Sequence, residues 1–127
     1  MGALIEAKEE VARQITAALA DMPAPPPVTT DPGALYPDPV SVLVGRALMM
    51  ERGLARSSWY AECQVFVVSG VSETPEIDEL MFITAARIAE VAGAGSFLEA
   101  TYRTPGGSTD LPAREISIPL YVTEVTP

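Results

Sequence analysis

The sequence predicts an α+β domain: a mostly antiparallel four-stranded sheet with two helices packed on one face, in the order α-β-β-α-β-β. Three observations lead there. Two stretches carry apolar residues at helical spacing, four carry strand patterning, and a proline-rich segment separates the first helix from the rest. At 127 residues the chain fits one domain, 1–127, with enough length to bury a modest core.

Residues 1–22 form the N-terminal helical region, with the helix itself over 3–20. Leu4, Val11, Ile15, Ala18 and Leu19 recur at helical spacing, with Met22 just beyond. Glu6, Glu9 and Glu10 favour the positive end of the helix dipole, and Pro23 stops the helix. Residues 23–39 hold seven of the twelve prolines and read as an extended surface connector, with Pro25, Pro26 and Pro27 stiff in polyproline II geometry.

The sheet and second helix occupy 40–127. Val40 to Val44 is a continuous apolar run and therefore a buried strand. Residues 45–57 read as a long loop. Its Leu48, Met49 and Met50 are unusual in a solvated loop, so they either extend the strand or touch another subunit. Residues 58–69 are the clearest strand. Trp59, Ala61, Cys63, Val65 and Val67 alternate with Tyr60, Glu62, Gln64, Phe66 and Val68, and its apolar C-terminal end suggests a central position. Trp59 is read as a core aromatic, whose truncation to alanine would cost about 3 kcal/mol or more.

Thr74-Pro75 starts the second helix, with threonine as N-cap and proline at the first helical position. Ile77, Leu80, Met81, Ile88 and Val91 give its buried face, and Gly93 ends it. Residues 97–104 are the third strand and 114–125 the fourth. In the fourth, Ile116, Ile118, Leu120 and Val122 face one way. Pro119 cannot donate to a ladder, so the strand is expected to be an edge or bulged there.

Composition removes several chemistries. There is no histidine, which excludes the Ser-His-Asp, Cys-His and His-x-x-x-His schemes. The single cysteine, Cys63, cannot form an internal disulfide and reads as a small buried strand residue. No apolar run is long enough to span a bilayer, and the acidic N-terminus is unlike a signal peptide. A net charge of −9 opposes sequence-independent DNA binding. The chain is expected to be made in a cytoplasm and to need no cofactor and no metal.

Glu73, Glu76, Asp78 and Glu79 lack calcium-loop spacing and match ordinary charging of a helix start. Thr104 to Thr109 is glycine-rich, but no lysine follows, so it reads as a hairpin connection. Arg56 beside Trp59 and Tyr60 could stack a base, yet the acidic balance favours an anchoring role for these aromatics. Against that background Arg46, Arg52 and Arg56 stand out, clustered within eleven positions and opposed only by Glu51.

The leading helix, the proline-rich connector and the VSVLV strand come in a suggestive order. They are followed by the segment WYAECQVFVVSG, an acidic Thr-Pro-started helix and two closing strands ending in IPLYVTEV. This layout resembles the tail terminator proteins of long-tailed bacteriophages over nearly the whole chain. The resemblance implies a non-enzymatic virion protein of the neck, assembled in the host cytoplasm. It would form a homo-oligomeric ring, a hexamer, that caps the tail tube, ends its polymerisation and meets the head-tail connector protein. DNA would pass through the ring without sequence-specific binding. By position, the candidate subunit or partner contacts are Arg46, Leu48, Met49, Met50, Arg52 and Arg56 in 45–57, and Gly106, Gly107 and Asp110 in 105–112. The alternatives are a head-closure or tail-completion neck protein, which shares size and composition, and a small-ligand-binding α+β domain.

Overall fold

A computed structural model describes residues 2–35, 39–52, 58–70, 74–104 and 109–123, the side chains of 49, 50 and 123 excepted. Two helices and a mixed open sheet make up the fold. Helix α1 spans Ala3–Leu19 and α2 spans Pro75–Ala92. The strands are β1 (Val28–Thr29), β2 (Val40–Arg52), β3 (Ser58–Ser69), β4 (Leu98–Arg103) and β5 (Asp110–Thr123). Their order across the sheet is β1-β2-β3-β5-β4.

The α+β class, the two antiparallel hairpins β2–β3 and β4–β5 and the central place of β3 follow the sequence reading. The four-stranded count does not. A fifth strand, β1, lies inside the proline-rich connector and pairs parallel to β2, Val28 with Val42 and Thr29 with Leu43. Proline cannot donate, but its carbonyl still accepts: the Val42 amide donates to the Pro27 carbonyl at 2.8 Å.

The loop expected over 45–57 is also corrected. Residues 45–52 continue β2, and only 53–57, which include Arg56, fall outside the described residues. The strand hides its continuity behind two bulges. Gly45 and Arg46 oppose the single residue Gln64, and Met49 and Met50 oppose Ala61. Each bulge inserts one residue, so the alternation that marks a strand breaks twice within six positions. Glycine is required at the first bulge. A Cβ on Gly45 would sit 2.9 Å from the Gln64 carbonyl oxygen, a backbone atom that cannot swing away. Gly45→Ala is expected to destabilise the protein by about 1 kcal/mol in urea melts, and an unchanged midpoint would show that the bulge relaxes freely.

Both helices cover one face of the sheet. Val11, Ile15 and Leu19 of α1 and Met81, Ala85 and Ile88 of α2 share one core with alternate residues of β2, β3 and β5. Ile116, Ile118, Leu120 and Val122 are buried there as expected, and Tyr121 faces away. The two helices are also tied directly: the Arg87 guanidinium pairs with Asp21 and donates to the Ala18 carbonyl at the C-terminal end of α1. Thr74 caps α2 by accepting from the Ile77 amide at 3.2 Å, and Gly93 closes it in the left-handed region at φ 71°.

Three expected core positions are corrected. Leu4 and Val91 are exposed: Leu4 points to the buried side of α1 but sits in its first turn, beyond the buried residues Val11, Ile15 and Leu19, and Val91 falls on the rim of the α2 stripe near its last turn. Trp59 is half-buried at the connected end of the β2–β3 hairpin, paired with Arg52, whose guanidinium lies 4.4 Å from the ring centroid. Its truncation is therefore expected to cost less than that of an enclosed aromatic. β5 begins at Asp110 rather than 114. Pro119 is not bulged: β5 pairs with β3 in unbroken register from Ala113 to Thr123. It does lie at an edge, because the pairing with β4 ends at Glu115, leaving Pro119 where no ladder needs its missing donor.

Candidate subunit interface

The helices cover one face only, which leaves the opposite face, the sheet edges and the outer side of α2 exposed. At one edge, β1 protects β2 only as far as Leu43. From Val44 to Glu51 the outer edge of β2 is unpaired among the described residues. Unpaired strand edges of this length invite pairing with another chain.

Three of the predicted contacts lie on this exposed segment or at its end. Arg46 sits in the first bulge, exposed. Leu48 is 42% exposed, opposite Glu62 on the face away from the helices. Arg52 is exposed and packs on Trp59. Met49 and Met50 form the second bulge. Arg56, Gly106 and Gly107 lie outside the described residues. Asp110 is not in a loop. It opens β5 and accepts from the Arg103 side chain at 3.1 Å across the β4–β5 hairpin, a pairing that belongs to the domain itself.

A cleft of about 440 Å³ opens beside the first bulge. Lys8 from α1 and Arg46 line it, neither with a carboxylate within ion-pair distance among the described residues. Phe66 and Tyr102, with ring centroids 5.5 Å apart, line its floor. Cys63 lies behind this wall. It is fully buried, and its thiol donates weakly to the carbonyl of Gly45 at 3.8 Å. Burial pushes the Cys63 thiol above its ordinary pKa, and the nearby Lys8 charge offsets this only in part. An inert thiol is expected: at pH 8 a thiol reagent should label native protein at least about tenfold more slowly than unfolded protein. Equal rates would place Cys63 at the surface.

At the other end of the sheet, α2 and β4 form a second patch that the sequence reading missed. Phe82 on α2 is 52% exposed, and its ring centroid lies 5.8 Å from that of Phe97. Ile83 and Leu98 are exposed as well. Asp78, Glu79 and Glu99 surround the depression between Phe82 and Phe97, with Arg114 at its base. Arg114 is buried, pairs with Asp78, and reaches Glu99 at 3.6 Å. The signal was present in α2: Phe82, Ile83 and Ala86 lie outside the buried stripe, so this helix is apolar on two sides.

A further aromatic pair, Tyr60 and Tyr121, lies on the uncovered sheet face with centroids 5.5 Å apart, Tyr121 being 72% exposed. Glu76, Asp78 and Glu79 stay at the start of α2, while Glu73 lies outside the described residues. No helix among the described residues is long and apolar enough to cross a membrane. In comparisons with known proteins, no protein-family model and no curated protein matches the chain.

Proposed function

We propose that this chain is a structural protein that assembles with copies of itself into a ring, capping the tail tube of a long-tailed bacteriophage and joining it to the head connector. One observation carries the reading: the described part of the domain leaves an unpaired strand edge at β2 and an exposed aromatic patch at α2 and β4, two different surfaces at two ends of one sheet. Two unlike surfaces on one molecule favour head-to-tail contacts, and these close into rings when the rotation per subunit permits. The order of elements adds support, since the leading helix, connector, long hairpin, Thr-Pro-started helix and closing hairpin follow the layout of tail terminators. The net charge of −9 suits a channel that must pass DNA without holding it. On this reading the protein has no catalytic role, and its neighbours are the tail tube protein and the head-tail connector.

Cryo-electron microscopy of the purified chain mixed with tail tubes encoded by the same genome tests this. The expected result is a six-fold ring at one end of each tube, with tube growth stopped. Rings bound to the connector and never to tubes would move the assignment to a head-closure protein. Bare tubes that keep growing would overturn it.

A further inference from the structure

The two ends of the sheet differ in charge as well as shape. At the β2 end, Arg46 and Arg52 are exposed beside Leu48, and Lys8 lies across the cleft from Arg46. At the α2–β4 end, Asp78, Glu79 and Glu99 frame the Phe82–Phe97 pair against the single cation Arg114. The first end carries three cations, Lys8, Arg46 and Arg52, against Glu51 and Glu62, with Leu48 exposed among them, a local cationic excess in a chain whose net charge is −9. The second is acidic with an exposed aromatic floor. A chain this acidic repels its own copies unless opposite charges are brought face to face.

We propose that a second copy of this chain docks at the α2–β4 patch through its β2 edge, with Leu48 of one copy seated against Phe82 and Arg46 set against Glu79. The occupant is fixed by complementarity. The patch needs a cationic rim around an apolar knob, and Arg46 and Leu48 offer this two residues apart on an edge that nothing in the described chain covers. Glu79 is the acidic partner because Asp78 already pairs with Arg114 and Glu99 lies within reach of it, whereas Glu79 has no ion pair among the described residues. Every copy carries one of each surface, so each contact leaves a free basic edge and a free acidic patch for the next. The inference rests on the self-assembly part of the function proposed above and assigns the surfaces that perform it.

Charge reversal tests it by sedimentation velocity at low and moderate salt. Wild type is expected to form a discrete oligomer. R46E and E79R each place like charges in the contact and are expected to weaken association at least about tenfold, the size of effect known for close interfacial charge pairs. R46E/E79R in one chain restores opposite charges and is expected to recover most of the lost association. Both positions are exposed, so melting temperatures should stay near wild type. If E79R melts early, E79Q replaces it, with weakened association expected in a folded chain. An oligomeric wild type whose single reversals associate normally, or whose double variant fails to recover, overturns this pairing while leaving the ring reading intact. A wild type that stays monomeric at high concentration overturns both.

Discussion

Leu19→Ala is expected to lower the free energy of unfolding by about 3 kcal/mol, the range measured for truncating an enclosed leucine. Leu19 is fully buried at the last turn of α1, in the same cluster as Ile15, Met81 and Ile88. Removing three carbons there leaves a void between α1, α2 and the sheet. The surroundings have little room to collapse, because the Arg87 contacts to Ala18 and Asp21 hold the same turn in place. In urea the midpoint should fall while the slope stays constant, since the surface exposed on unfolding hardly changes. An unchanged midpoint would mean that α1 does not pack on the sheet in solution.

The second large effect concerns Arg114, and its size depends on which partner is removed. The Arg114 side chain is only 6% exposed, whereas those of Asp78 and Glu99 are 58% and 85% exposed. Asp78→Asn with Glu99→Gln strips two balancing carboxylates from a buried guanidinium. The cost is expected at about 2 kcal/mol, below that of breaking a fully buried pair because water already screens both carboxylates. Arg114→Met leaves two carboxylates that water can solvate and fills the space with apolar atoms, so about 1 kcal/mol or less is expected. Thermal melts of the two variants should therefore rank D78N/E99Q below R114M. The reverse order would show that Arg114 contributes mainly through packing.

What was legible in the sequence divides along physical lines. Both helices could be read because their period is long and their punctuation explicit: Pro23 after the first, Thr74-Pro75 before the second and Gly93 after it. β3 was legible because eight residues, Tyr60 to Val67, alternate without a break. β2 was only half legible. Its first five residues form an apolar run, but the bulges at Gly45–Arg46 and Met49–Met50 shift the alternation twice, and no single period fits across them. β1 was not legible at all, since two residues carry no period and their pairing depends on a strand fourteen positions away.

The candidate surfaces follow the same division. Arg46, Leu48 and Arg52 could be singled out because charge and aliphatic bulk in a supposed loop looked misplaced, and the strand explains how they come to be presented together. Phe82 and Phe97 were hidden for the opposite reason. Apolar residues in and beside a helix read as core by default, and only the packing of Met81, Ala85 and Ile88 inward shows that Phe82 must face outward. Asp110 illustrates the limit of reasoning by position: its side chain is engaged within the β4–β5 hairpin by Arg103.

Native mass spectrometry of the purified chain tests the central claim, assembly into a closed ring, most directly. The account predicts one dominant species with the mass of six chains and no ladder of larger assemblies, because a closed ring leaves no free surface of either kind. Monomer alone at concentrations well above those of an assembling virion, or an open-ended series of masses, would contradict it.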